Sequence, residues 1–330
     1  MGEQVYLDIN LQDKNIKSSN SEKARLGNCF EAYFGKIQQG LNMIEKMNVS
    51  NPEYWIEQWN NLNAANTVIS GYSTQATWNA MAANYCKHND KNDNDKRIKE
   101  VISKLENAGF CFKNSRILDA GCGPGYYAKA FAERGANVVC IDISEKMIQR
   151  LKDELPESIQ ERVTAFAADW RSLNLVEKRF ISAFDLVFAN MTPAVTTHET
   201  LFKLIKASRK LCWFSGWVGP RKNSLHEQIV QTVKPERPYT FVGNFMVALN
   251  LLVTSGFYPD CSFTPVQWTQ NKTVEELLDF YSVFLSENSR PVPDKIRNII
   301  EECLRQHARN GVVQNSVKGC TGRMLWSVQQ

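Results

Sequence analysis

An α/β fold with a doubly wound, mostly parallel sheet is predicted by three observations. From Arg116 onward, short apolar runs alternate with helical stretches, the signature of a parallel sheet covered by helices on both faces. The first of these runs, RILDAG (116–121), feeds directly into a turn crowded with Gly121, Gly123 and Gly125, after which a helix begins. The preceding ~110 residues carry helical periodicity without that alternation, so they form a separate cap over 1–112, ahead of a core over 113–330.

Taken in order, residues 1–20 are polar and turn-rich, with a short strand around Val5–Ile9 as one option. Residues 24–47 space Phe30, Tyr33, Phe34, Ile37, Leu41 and Ile44 as a helix would. Asn51-Pro52 reads as an N-cap with proline at the first helical position, and Trp55, Ile56, Trp59 and Leu62 line the helix that follows. A helix at 74–86 carries Trp78, Met81, Ala82 and Tyr85. HNDKNDNDK (88–96) is too polar to bury and reads as a loop, and a helix at 95–108 stops at Gly109. Strands follow at 116–121, 137–142, 163–169, 184–190 and 210–218, separated by helices at 124–134, 144–154 and 197–209. Beyond them come a helix near 240–254, a strand near 257–264, helices at 273–286 and 293–308, and a closing strand near 323–328.

Composition narrows the function classes. The chain has 330 residues, 43% hydrophobic, enough to bury a sizeable core. A net charge of +4 argues for neither a nucleic-acid partner nor an anionic membrane. No apolar run approaches the ~20 residues that span a bilayer, and MGEQVYLDINLQDKN lacks the basic start and apolar centre of a secretory signal. Nine scattered cysteines without a CxxC pair read as reduced, mostly buried thiols, so a cytoplasmic location is expected. No HxxxH, HExxH or Cys/His spacing supports a metal.

The glycine turn carries the sharpest signal. Glycines let the backbone approach a ligand, and the helix start adds a partial positive field. Gly123-Pro-Gly125-Tyr-Tyr-Ala128 fits a dinucleotide pattern, with Asp142 at 19 residues from Gly123, so spacing alone leaves NAD open. Asp119 argues the other way: a carboxylate two residues before the first glycine repels a diphosphate and suits a ligand bearing an ammonium group. S-adenosylmethionine combines an amino-acid head, two ribose hydroxyls and an adenine.

With these residues in view, the chain resembles the class I S-adenosylmethionine-dependent methyltransferases, a Rossmann-like family, and within it the small-molecule branch that includes the quinone-biosynthesis enzymes. LDAGCGPG (118–125), IDIS (141–144), AADW (167–170) and FDLVFANMTP (184–193) resemble four family motifs in order. The resemblance covers about 115–260 and the last strand. It implies a seven-stranded sheet with the last strand antiparallel, and a helical insertion over about 265–320. It also implies roles. Asp119 and the backbone of Gly121, Cys122 and Gly123 hold the methionine part, with Gly125 completing the turn. Asp142 accepts from the ribose hydroxyls, Ile143 packs on the adenine, and Met147 lies beside it. Asp169 accepts from the adenine amino group, the Trp170 backbone reaches a ring nitrogen, and Asn190 lies near the methionine. Small size, rather than thiol chemistry, is what matters at Cys122.

Methyl transfer from a sulfonium needs alignment and water exclusion more than a fixed triad, and a base only where the acceptor carries a proton. His88, in the loop before the core, His198, opening the helix after NMTPA, and Tyr85 are the candidates. His226 and His307 read as helix-surface residues. NMTP (190–193) only partly resembles the NPPY of amine methyltransferases. Trp213, Ser215 and Trp217 share one face of their strand, with Trp213 in the core and Trp217 toward a substrate pocket that Tyr85 also borders. Between 203 and 237 eight basic residues face two acids, and Arg221 with Lys222 suggests an anionic small substrate. The leading reading is methylation of a small metabolite. The rivals are an RNA or protein methyltransferase and a non-catalytic cofactor-binding scaffold or sensor.

Overall fold

The chain divides into two compact units, Met1–Asn48 and Val49–Gln330. The structure, a computed structural model, describes residues 48–66, 72, 74–82, 85, 91–235, 241–286 and 292–329. The readings at Val5–Ile9, 24–47 and His88 lie outside these residues. Trp59 and Leu105, from the helices before the sheet, are fully buried in the same two cores as the strands.

Those early helices are α1 (Pro52–Ala65), α2 (Gln75–Ala82) and α3 (Lys91–Asn107). Asn51 caps α1 by accepting from the Glu53 amide at 3.0 Å. α3 starts at Lys91, inside the stretch expected to be a loop. Its polar first turns simply precede an apolar stripe of Ile98, Val101, Ile102 and Leu105.

The sheet contains β1 (Arg116–Ala120), β2 (Asn137–Asp142), β3 (Val163–Ala167), β4 (Phe184–Asn190), β5 (Ser208–Trp217), β6 (Asp260–Thr273), β7 (Ala308–Arg309) and β8 (Val312–Ser327). Their order is β3-β2-β1-β4-β5-β8-β6, and the two-residue β7 pairs with β8. β1 to β5 are mutually parallel, and β8 runs antiparallel between β5 and β6. The seven-stranded, mostly parallel expectation holds, with β7 as a small addition. Connecting helices are α4 (Tyr126–Glu133), α5 (Glu145–Asp153) and α6 (His198–Ala207). Central β4 is buried at six of its seven positions, as a strand covered on both faces must be. Side-chain parity splits the interior. Leu118, Val187, Cys212, Phe214 and Trp326 point to one core, and Ile117, Leu186, Phe188, Trp213 and Leu325 to the other.

Two elements differ from expectation. The helix near 240–254 is α8 (Phe245–Thr254), and a further helix, α7 (Ser224–Val233), precedes it. SLHEQIVQTV has a β-branched bias that blurs the bounds of the helix on which His226 was read. Asn223 nevertheless caps it, accepting from His226 N at 3.1 Å, and Leu225, Ile229 and Val230 face inward together. Among the described residues, the insertion expected over 265–320 is helical in α9 (Val274–Phe284) and α10 (Asp294–His307). Residues 265–273 and 312–320 instead prolong β6 and β8 into a long ribbon. Apart from positions such as Val313 and Val317, that ribbon is too polar to show alternation in the sequence. α7, α9, α10 and Val313 form a third apolar cluster around it.

At the edge formed by the strand N-termini, Asp185 is buried and accepts from the Arg116 amide (2.9 Å), from Arg209 Nη2 (2.8 Å) and from Lys210 Nζ (3.0 Å). Burial alone raises its pKa, but these donors outweigh it and hold the carboxyl well below the usual range. Its contribution is therefore present above the unfolded value near pH 4 and is lost as pH falls through the depressed folded value. Asp185→Asn is expected to cost about 3 kcal/mol at pH 7, with the gap from wild type closing below about pH 4. Urea unfolding at pH 7 and pH 3 checks both parts.

Candidate functional site

The chain passes from β1 to β2 and β3 on one side, then returns to β4 and β5 on the other, so the connections diverge between β1 and β4. A crevice opens there at the strand C-termini, where such folds place ligands. Asp119 of β1 sits level with Cys140 of β2 and Phe188 of β4. Asp142 ends β2, and Asn190 ends β4.

The glycine turn is built around Asp142. Gly123 N donates to its Oδ2 at 2.9 Å, and Ser144 N donates to its Oδ1 at 2.8 Å. Gly121 N and Cys122 N both donate to the Ile141 carbonyl, at 2.7 and 3.1 Å. The first three amides of the turn are therefore satisfied internally. Gly121 has φ +79°, and a Cβ there would overlap Thr192 Oγ1, so only glycine fits. Gly123 (φ +54°) opens on space, with no atom within 4 Å of the position a Cβ would take. Gly125 lies in the left-handed region ahead of α4, against Leu151.

Electrostatics single out the same pair of acids. Asp119 is only 3% exposed. Burial first, and the charge of Asp142 second, push its carboxyl up to about 8. Burial also raises Asp142, partly offset by its two amide donors. Burial and the neighbouring Cys140 push the Cys122 thiol well up, so it stays protonated. Beyond Asp142, Ile143 is half-buried, and Met147 is buried on α5.

The remaining motif residues are each held by specific partners. Asp169 receives Arg171 Nε on Oδ1 (2.9 Å) and Nη2 on Oδ2 (2.7 Å). Burial would raise its carboxyl, but these bonds prevail and lower it. The Trp170 indole is buried and donates to the Thr200 carbonyl at 3.3 Å. Lys203 Nζ donates to the Trp170 carbonyl at 2.6 Å. Asn190 Oδ1 accepts from Trp213 Nε1 (3.1 Å) and Ser215 Oγ (2.7 Å), which aligns the ends of β4 and β5.

On the side away from β3, Trp217 is half-buried at the end of β5, 5.8 Å from the Trp268 ring. Gly319 lacks the Cβ that would strike the Trp217 ring. The Arg221 guanidinium lies 4.8 Å from the Phe241 ring, 5.4 Å from Tyr72 and 5.6 Å from Trp217. Lys222 is exposed, and its backbone bridges Lys318 of β8. The basic stretch is thus divided: Arg209 and Lys210 serve Asp185 at the opposite edge of the sheet. Tyr85 is exposed beside Trp78. His198 begins α6, with Nε2 3.1 Å from Glu199.

His226, expected on a helix surface, is instead 1% exposed, with Nδ1 3.1 Å from the Tyr281 hydroxyl of α9. Burial, then the charge of Arg221, hold its pKa down to about 3, so it is neutral. His307, at the end of α10, is exposed as expected, with Nδ1 2.8 Å from the Cys303 carbonyl. Sequence reading did not single out Asn79, Thr192, Arg171, Tyr72 or Phe241. Of these, Arg171 directly follows the Asp169 motif and Thr192 lies within FDLVFANMTP, whereas the other three had no local signal. Among the described residues no three metal-ligating side chains gather, and no helix is long and apolar enough to cross a membrane.

A family profile described as a methyltransferase domain matches residues 117–212, from β1 into β5. Magnesium-protoporphyrin O-methyltransferase of Rhodobacter capsulatus is 26% identical over 155 residues, covering 43% of this chain and 68% of that protein. Ubiquinone biosynthesis O-methyltransferase of Dechloromonas aromatica is 40% identical over 62 residues, covering 19% of this chain and 24% of that protein. Among solved structures, magnesium protoporphyrin IX methyltransferase from Synechocystis PCC 6803 is similar at a TM-score of 0.39 and 20% identity, over 51% of this chain and 75% of that one.

The raised Asp119 has a consequence for stability. Between pH 4 and about 8 the folded chain holds a proton on this carboxyl that the unfolded chain releases, so stability falls as pH rises through that window. Asp119→Asn removes the cost. Its melting temperature is expected to exceed wild type at pH 8 by at least about 2–4 °C, and by less at pH 5. Thermal unfolding at the two pH values checks this.

Proposed function

We propose that the chain is a class I S-adenosylmethionine-dependent methyltransferase of small-molecule type, with its residues dividing the work as follows. The observation that carries the assignment is the buried Asp119 beside Asp142, at the point where the sheet's connections diverge. Asp119 receives the ammonium of the methionine part. The turn from Gly121 through Cys122 to Gly123 contributes close backbone approach and carbonyl oxygens, since its amides are already engaged. Gly125 sets the start of α4. Asp142 keeps lone pairs for two ribose hydroxyls after accepting Gly123 and Ser144. Ile143 and Met147 supply the apolar wall for the adenine. Asp169, steadied by Arg171, and the Trp170 amide meet its edge, and Asn190 borders the methionine part.

The cofactor supplies a methyl group already activated on a sulfonium. What remains for the chain is to align an acceptor oxygen in line with that methyl and to keep water out, which in favourable cases is worth about 7–11 kcal/mol. An oxygen acceptor is supported by the O-methyltransferase relatives. An anionic metabolite is supported by Arg221 and Lys222 beyond β5, with Trp217 and Tyr85 bordering the pocket. Where the acceptor hydroxyl carries a proton, His198, His88 or Tyr85 takes it. A cytoplasmic setting is supported by free thiols buried at Cys140, Cys212 and Cys303.

Binding and kinetic measurements test this reading. Asp142→Ala is expected to weaken S-adenosylmethionine binding about 10–100-fold by calorimetry, the loss of hydrogen bonds to a charged acceptor. Because Asp119 is protonated below about 8 in the free protein, pairing with an ammonium releases a proton. Affinity therefore rises with pH toward 8, and titrations in buffers of different ionisation heat register the release. Arg221→Gln is expected to raise the acceptor KM about tenfold with cofactor affinity unchanged. Reversing both Arg221 and Lys222 without any kinetic effect would refute an anionic acceptor. Formation of S-adenosylhomocysteine only on addition of acceptor separates an enzyme from a cofactor-binding scaffold.

A further inference from the structure

A helix outside the methyltransferase domain match is wired into the glycine turn. α2 lays Asn79 against the N-terminus of α5, where Asn79 Oδ1 accepts from Ser144 Oγ at 2.7 Å and from Lys146 N at 3.4 Å. Both partners are donors, so the side-chain oxygen, not the amide nitrogen, faces them. Ser144 is fully buried, and its Oγ in turn accepts from Met147 N at 3.1 Å. Its backbone N donates to Asp142 Oδ1, and Asp142 Oδ2 accepts from Gly123 N. Four residues from three elements thus form one continuous chain of hydrogen bonds, Asn79–Ser144–Asp142–Gly123.

Each link is fixed by the one before it. A serine hydroxyl has a single proton, and here it goes to Asn79, which leaves a lone pair for the α5 cap. With Ser144 fixed, its amide sets the rotation of the Asp142 carboxylate and so the direction of the lone pairs left for a ligand. α2 is anchored to α5 a second time, where Arg150 Nη1 donates to the Ala82 carbonyl at 3.0 Å. Toward the acceptor side, Trp78 Nε1 donates to the Tyr72 carbonyl at 2.7 Å. The Tyr72 ring packs 4.8 Å from Phe284 of α9 and lies beneath Arg221.

We propose that Asn79 is a positioning residue that, through Ser144, orients the Asp142 carboxylate, making the docking of α2 and the capture of the cofactor one coupled event. This rests on the assignment of Asp142 to the cofactor ribose. It accounts for a polar side chain on α2 aimed at a helix start that Ser144 already caps. It also gives occupancy of the cofactor site a direct route to the aromatic residues around Arg221.

The test uses the full chain with S-adenosylmethionine as probe. Asn79→Ala is expected to raise the cofactor Kd and KM about tenfold while kcat at saturation stays within about twofold. Asn79→Asp keeps an acceptor at a helix N-terminus and should restore affinity to within about threefold. The double variant Asn79→Ala/Ser144→Ala should bind no more weakly than Ser144→Ala alone, because both act through one path. In hydrogen exchange, cofactor should protect the amides of 75–82 in wild type and fail to do so in Asn79→Ala. An unchanged Kd in Asn79→Ala, or fully additive effects in the double variant, would overturn the proposal while leaving the cofactor reading intact. A wild-type chain that binds no S-adenosylmethionine would overturn both.

Discussion

Two carboxylates held side by side at the ends of neighbouring strands, Asp119 and Asp142, constrain much of what surrounds them. Burying two acids together is unfavourable unless one is neutralised or both are well partnered. Here Asp142 is partnered by two amides, and Asp119 is left to take up a proton. That arrangement requires the turn after β1 to fold back onto β2, which brings Gly121 N and Cys122 N onto the Ile141 carbonyl. The fold-back forces a positive φ at Gly121 and brings Thr192, from the loop after β4, where any Cβ would stand. A buried acid of this kind favours a cationic neighbour, because an ion pair offsets part of the cost of burial.

The outer parts of the chain hold this centre from two directions. On one side α2 reaches the start of α5 through Asn79, so the segment that holds Asp142 is supported from outside the sheet. On the other, His226 and Tyr281 join α7 to α9 by a bond buried at both ends. The Arg221 guanidinium lies between these two supports, over Tyr72, Trp217 and Phe241. A low-dielectric aromatic surround strengthens any interaction that guanidinium makes with an anion.

Much of the cofactor side was legible because its logic is local. Strand, acid, glycines and helix follow one another within a short stretch from Arg116 to Tyr126, and Asp142 closes the next strand. The ribbon of β6 and β8 was not legible, since much of its stability comes from a backbone ladder and not from alternating apolar side chains. The bounds of α7 were not legible, because its residues have modest helix preference and gain their stability from docking on α9 and α10. His226 was misread for a related reason. A histidine on an amphipathic helix looks solvated until the helix opposite it is known.

The sequence alone therefore determined the order of strands and helices through the methyltransferase domain and the positions of its acids and glycines. Local backbone preferences and short-range spacing specify those features. The tertiary structure decided which distant side chains serve them: Asn79 for Ser144, Thr192 for Gly121, Arg209 for Asp185, Tyr281 for His226. Each pairing joins residues from 24 to 71 positions apart. No spacing rule reaches that far, because the contact exists only after the sheet has closed and burial favours polar groups that find a partner.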